Sequence, residues 1–185
     1  HRRKKIKISL IQNKALELSM FLSIPASVAL VVGSEQIISA LFGYGSFTEN
    51  SVFNSSNALY YFGLGLPAFA LIKVFSTFFF ANQDTKTPFY ISLVSVLLNI
   101  LISVYFFKDI GFIIIPIATT ISSWFNSLIL FIYLKNNNLF EFNKTFFKQF
   151  VKIIFASIIM GIFFQYLILL FENQLSYAYF FKSAY

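Results

Sequence analysis

Cysteine is absent from this 185-residue sequence, which excludes a disulfide framework and any thiolate-bound metal. Histidine occurs once, at His1, so imidazole chemistry has no residue to use elsewhere. Acids are scarce: the seven Asp and Glu include no pair at helical spacing, and both Asp84 and Asp109 read as residues of short loops. A Gly-rich phosphate loop and a Ser/His/Asp set are missing as well, so none of the common catalytic signatures is present. Charged residues make up 11% of the chain, against roughly a quarter in a soluble domain. Hydrophobic residues reach 58% and the mean hydropathy is +0.76. A soluble fold of this length has too little polar surface to cover so much apolar matter, and lipid as solvent removes the conflict. The 27 Phe then read as lipid-facing and core filler rather than a binding stripe.

Five apolar runs are long enough to cross a bilayer core of ~30 Å, which takes about 20 helical residues. They cover residues 16–32, 59–81, 88–107, 112–134 and 150–171. A spanning segment must satisfy its own backbone hydrogen bonds, and no period-2 alternation suggests a barrel. The expected fold is therefore all-α, a polytopic transmembrane helical bundle of five spans. Residues 37–42 are too short to span and predict an interfacial turn. Thr48-Glu49 offers a cap and a first-turn acid for the second span. A helix from there to Ala81 would be about 50 Å long at ~1.5 Å per residue, with a bend expected at Gly63, Gly65 and Pro67. Pro25 and Pro116 are candidate kinks in the first and fourth spans. Thr87-Pro88 reads as a cap followed by proline at the first helical position.

Loop charge sets the orientation. Arg2, Arg3, Lys4, Lys5, Lys7 and Lys14 precede the first span, Lys86 lies between the second and third, and Lys135, Lys144 and Lys148 lie between the fourth and fifth, with Lys152 just inside the latter. The other side carries Lys108 and Lys182 with Glu35, Glu49, Asp109 and Glu172. The positive-inside rule puts the N-terminus in the cytoplasm and Tyr185 outside. Topology accounts for the basic run, so no nucleic-acid partner is expected. The chain starts at His1 without a signal peptide and stops after a polar stretch, so it reads as a fragment.

Few residues at membrane depth could carry chemistry. Lys73 is the one clear charge inside a span: it either attracts a phosphate or pyrophosphate group, or snorkels, since it lies about 12 Å from Ala81 at ~1.5 Å per residue. Asn99, Ser103, Thr119, Thr120, Ser122, Ser123 and Asn126 form a second set, with Asn99/Ser103 and Ser122/Asn126 each on one helix face. They either line a wet cavity and hold a cation through oxygen, or glue packed helices together. Gln83, Asp84, Thr85, Lys86, Thr87 and Pro88 make a cytoplasmic hairpin rich in turn and capping residues.

Read in order, several stretches resemble the MurJ/MviN family of lipid II flippases, within the wider class of drug, oligosaccharide-lipid and polysaccharide exporters. They are Asn13 to Ser19 leading to Ile24-Pro25-Ala26, Ile38 to Phe47 (ISALFGYGSF), Gly63 to Phe69 (GLGLPAF), Lys73-Val74, and Gln83 to Pro88 followed by Ser95 to Asn99. The resemblance implies helices nine to thirteen of a fourteen-helix protein that moves undecaprenyl-linked peptidoglycan precursor across the bacterial inner membrane by alternating access. Residues 1–134 would belong to the second lobe, and 135–185 to a cytoplasmic loop and one of two extra C-terminal helices that form a groove for the lipid tail. A flippase is not an enzyme, and the full-length protein is expected to be a monomer among membrane lipids. Lys73, Asn99, Ser103, Thr119, Thr120 and Asn126 are the cavity candidates. No cofactor is expected beyond sodium or membrane-potential coupling, with Asn99 and Thr119 as the implied sodium ligands. Ser103 stands where the family has an acid, and Gly43-Tyr44 replaces a charged pair. The family's cavity arginines have no counterpart here. The alternatives are a related oligosaccharide-lipid or drug exporter and a non-transporting membrane scaffold.

Overall fold

The computed structural model describes residues 2–171. His1, Glu172, Lys182 and Tyr185 lie outside the described residues, and so do the side chains of Arg2, Arg3, Lys4, Lys5, Lys7 and Lys144. The elements run α1 (Arg2–Val32), α2 (Ser34–Phe42), α3 (Glu49–Ala81), α4 (Lys86–Ile110), a 3₁₀ turn (Gly111–Ile113), α5 (Ile114–Asn136) and α6 (Lys144–Leu170). Among the described residues there is no strand, as the all-α expectation requires.

Among the described residues four stretches are long and apolar enough to cross a membrane, and the third, Lys86–Asn136, is 51 residues long. Straight, it would reach about 76 Å at ~1.5 Å per residue, more than twice a bilayer core. It folds back instead at Gly111, whose φ of 74° and ψ of −151° suit a residue without Cβ. The resulting α4 and α5 have 25 and 23 residues, each long enough for a full crossing, so the described residues hold five such helices.

Helix ends differ from the apolar runs because a run marks where lipid is, not where the backbone stops coiling. Helix α1 begins at Arg2, well before residue 16, and α6 begins at Lys144, six residues before its apolar run, so Lys144 and Lys148 are helical rather than loop residues. Asn143 caps α6 by accepting the Thr145 amide at 3.3 Å. Residues 37–42 belong to a nine-residue helix, α2. Asp109 lies in the last turn of α4 and not in a loop. Thr48 caps α3 as expected, accepting the Ser51 amide at 3.3 Å, and α3 runs 33 residues, about 50 Å at ~1.5 Å per residue.

The capping expectation at Thr87-Pro88 is overturned. Helix α4 starts at Lys86, and the Asp84 carboxylate accepts the amides of Lys86 (3.1 Å) and Thr87 (3.0 Å). Pro88 is thus the third helical residue, still within the first turn, where its missing N–H leaves no bond unmade. Gln83, at φ 60°, makes the left-handed step that turns the chain.

The long helices pack in a row, α6 on α1, α1 on α3, α3 on α5 and α5 on α4. Large apolar side chains such as Leu101, Val104, Tyr105 and Phe163 stay exposed, which suits lipid contact. Burial concentrates at one end of α3 and α5, where Leu16, Phe75, Phe79, Leu130, Leu134 and Phe140 form a core. Phe140, from the α5–α6 loop, stacks on Phe78 at 5.8 Å and meets Phe75 edge-on at 6.4 Å. Helix α1 pins that loop: Gln12 donates to the Leu139 carbonyl (3.1 Å), and Asn13 donates to the Glu141 carbonyl (2.8 Å) while accepting the Asn143 amide (3.0 Å). The loop in turn sets where α6 enters the membrane.

Candidate functional site: a lysine groove and two polar seams

Pro67 organises the middle of the molecule. It has no N–H to give the Gly63 carbonyl four residues back, so that carbonyl needs another donor. Ser27 of α1 supplies it at 2.7 Å. Beside it, Thr120 of α5 donates to the Tyr61 carbonyl (2.6 Å) and Trp124 Nε1 to the Leu64 carbonyl (3.1 Å). A Cβ on Gly65 would stand 2.9 Å from Thr120 Oγ1, so only glycine allows this approach. Helix α3 is therefore stapled on both sides at its proline, and Thr120, a cavity candidate, belongs to that staple.

Lys73 lies two turns from the staple. It lines a groove of about 360 Å³ between α1 and α3, together with Ser19, Ser23, Leu66 and Ala70. Lys73 is exposed, whereas Ser23 is buried and its hydroxyl has no hydrogen-bond partner in the structure. The groove thus sets an exposed cation, the donor type that holds a phosphate oxygen, over a buried hydroxyl with an unmet bond. Sequence reasoning missed Ser19 and Ser23. The signal was there: Ser19, Ser23 and Ser27 recur every four residues, one polar stripe along α1.

The remaining candidates gather elsewhere, between α4 and α5. Asn99 Nδ2 donates to Thr119 Oγ1 (3.0 Å) and Ser122 Oγ (3.3 Å). Both hydroxyls pass their own protons to main-chain carbonyls, Thr119 to Ile115 (2.8 Å) and Ser122 to Thr119 (3.0 Å). Asn126 Nδ2 reaches Ser92 Oγ at 3.4 Å, leaving its buried Oδ1 without a partner, and Ser103 Oγ is likewise buried and unpaired. This is an interhelical polar seam. As placed, the Asn99 amide turns its donor toward the two hydroxyls, so a cation there would require the amide to rotate and present Oδ1. Among the described residues no cluster of His, Cys, Asp or Glu could hold a metal ion. Lys73 lies between α1 and α3 and Asn99 between α4 and α5, in different seams.

The hairpin residues Gln83 to Pro88 form the hydrogen-bonded turn between α3 and α4. The Thr87 hydroxyl and amide, with the Lys86 amide, hold the Asp84 carboxyl below the ordinary carboxylate range.

Comparison with known proteins agrees with this layout. The family model described as lipid II flippase MurJ matches residues 1–185. A probable lipid II flippase MurJ of Rhizobium meliloti (strain 1021) is 40% identical over 121 residues, 65% of this chain and 23% of the relative. Those of Rhizobium tropici and of Buchnera aphidicola subsp. Baizongia pistaciae are each 33% identical, over 82% and 88% of this chain and 28% and 30% of the relatives. A solved structure titled "Lipid II flippase MurJ, inward closed conformation" superposes with a TM-score of 0.75 at 27% identity, covering 96% of this chain and 39% of that one. The chain spans about a quarter of the length of the first of these curated relatives. With its helices, its loop motifs and its whole length accounted for, the chain belongs to the lipid II flippase MurJ family.

Proposed function

We propose that this chain supplies a C-terminal portion of a flippase that carries undecaprenyl-linked peptidoglycan precursor across the bacterial cytoplasmic membrane by alternating access. The observation that carries this reading is the family match along the full chain. The Lys73 groove supports it, because a lipid-linked pyrophosphate needs a cation and hydroxyl donors at membrane depth. Residues 1–134 take the role of lobe helices, with their N-terminus in the cytoplasm, and 135–185 that of a loop and an additional helix. The intact protein acts as a monomer, with membrane lipids and the lipid-linked precursor as partners and no nucleic acid. Sodium or the membrane potential drives it. For sodium, rotation of the Asn99 amide would bring its Oδ1 beside Thr119 Oγ1 and Ser122 Oγ, three neutral oxygens suited only to weak binding of a monovalent ion.

The deciding experiment is rescue of cells depleted of their own flippase by the intact protein. Survival is expected, with Lys73→Ala cutting rescue at least tenfold and Lys73→Arg restoring most of it. Normal folding without rescue would sink the reading in favour of a related exporter or a scaffold, and full rescue by Lys73→Ala would leave Lys73 as a snorkelling residue.

A further inference from the structure

Helix α4 ends the row and packs almost wholly on α5. Lipid offers no partner to a polar side chain, so each polar group in that joint must find one inside it. Two polar nodes stand there. At the first, the Asn99 amide donates to Thr119 and Ser122, and both hydroxyls pass their protons on to carbonyls. The second, Asn126 with Ser92, lies seven residues along each helix toward the α3–α4 hairpin, about 10 Å at ~1.5 Å per residue.

The second node leaves two groups unmatched. Asn126 is 7% exposed, and its one side-chain hydrogen bond runs from Nδ2 to Ser92 Oγ at 3.4 Å. Its Oδ1 is buried and accepts nothing, and the Ser92 hydroxyl proton reaches no acceptor among the described residues. Turning the amide over does not repair this. Ser92 would then donate to Oδ1, and both Nδ2 protons would be stranded instead.

One group that accepts from Ser92 and donates to Asn126 would satisfy both. A cation takes lone pairs and leaves the Ser92 proton unmet, and the node has no carboxylate to offset its charge. An anion would face the Asn126 carbonyl oxygen. Water both donates and accepts.

We propose that the α4–α5 seam binds one ordered water molecule at Asn126 and Ser92. It closes a ring in which every donor has an acceptor: Asn126 Nδ2 donates to Ser92 Oγ, Ser92 Oγ to the water, and the water to Asn126 Oδ1. Linked bonds of this kind strengthen one another. The second water proton has Ser122 Oγ one turn away on the same face of α5, which accepts from Asn99 and keeps a lone pair. Three hydrogen bonds are the usual complement of about three for a buried water. Ser92, Ser95 and Ser122 are small, so no bulky side chain of this polar stripe takes the place.

The joint is then uneven along its length. At Asn99 the helices are bonded directly, whereas at Asn126 they meet through a molecule that can follow either one. Helix α4 can shift on α5 at its hairpin end without stranding a polar group. None of this depends on what the Lys73 groove carries.

The test is water-edited solid-state NMR of the isotope-labelled intact protein in vesicles of phosphatidylethanolamine and phosphatidylglycerol, which reads polarisation passed from water protons to nearby sites. The side chains of Asn126 and Ser92 are expected to gain polarisation at short mixing times, while the fully buried Leu130 and Leu134 of the same helix do not. Asn126→Leu should abolish the gain at Ser92, and Ser92→Val should abolish it at Asn126. Gains no larger than at Leu130 in the unsubstituted protein would overturn the proposal, and that arm needs no variant to fold. A gain at Ser92 that persists in Asn126→Leu would also overturn it, because the water would then have another partner. Replacing sodium chloride by choline chloride should leave the spectrum unchanged. A shift of the Asn126 carboxamide carbon on that exchange would assign a cation to the node and overturn the water. Each result stands whatever the cell-rescue experiment gives.

Discussion

At the scale of single residues, the molecule is held by donors aimed at carbonyls that the helix itself cannot serve. Ser27 matters because Pro67 does not donate to the Gly63 carbonyl. Ser27→Ala should therefore destabilise the protein by about 1 kcal/mol, read as the midpoint shift of thermal unfolding in detergent. In a Pro67→Ala background a helical N–H is restored to that carbonyl, and the same serine change should cost about half as much. Equal costs in the two backgrounds would mean that the serine and the proline are independent. Gly161→Leu should cost about 1–3 kcal/mol by the same measurement, because Val28 is short and branched and the α1–α6 contact must open to admit the new side chain. The polar residues at depth were visible in the sequence as types. Which of them act as staples was not, since that depends on which carbonyl on another helix lacks a donor. Thr120 and Ser27 illustrate the point: one was expected in a cavity, the other was overlooked, and both serve α3.

At the scale of elements, the apolar runs located the five long helices of the described residues, and errors fell at the ends. A run's ends report the lipid boundary, whereas helices α1 and α6 continue past it until a cap or a turn stops them. The α3–α4 hairpin shows how a local device overrides a sequence habit. Thr-Pro is a common helix start, yet Asp84 takes the capping role because its carboxylate reaches two free amides at once. This cap carries a pH dependence of known sign. The folded state depresses the Asp84 pKa, so its contribution is complete above the unfolded carboxylate value and disappears as pH falls through the lower folded value. Protection of the Lys86 and Thr87 amides from hydrogen exchange, corrected for intrinsic rates, is expected to be constant from pH 7 to 5 and to fall in the acid range below pH ~4. Asp84→Ala should show the low-protection state throughout, with no such transition.

At the scale of the whole molecule, the row α6–α1–α3–α5–α4 joins each helix mainly to its neighbours in the row and leaves broad apolar surface on either side. Two consequences follow. Reconstituted by itself into vesicles, this chain is expected to show no flipping of a fluorescent lipid-linked precursor, because one row of helices cannot alternate access between two faces. Measurable flipping by the chain alone would contradict the two-lobe mechanism. The second consequence is that Lys73 and the Asn99 seam lie at separate joints of the row, so changes at the two should be additive in rescue assays. Non-additivity would mean that the two joints move together.

Composition and order alone determined the solvent, the number of crossings and the family. Those follow from the length of apolar runs, from the scarcity of charge and from motifs that are contiguous in the chain. The row itself, the close α1–α6 contact and the groove lined by Lys73 and Ser23 were decided only in the tertiary structure. Each depends on residues far apart in sequence, and on how closely two helices approach. That approach is set by a glycine facing a valine, or a serine facing a proline's orphaned carbonyl, and no periodicity within a single helix encodes the partner across the seam.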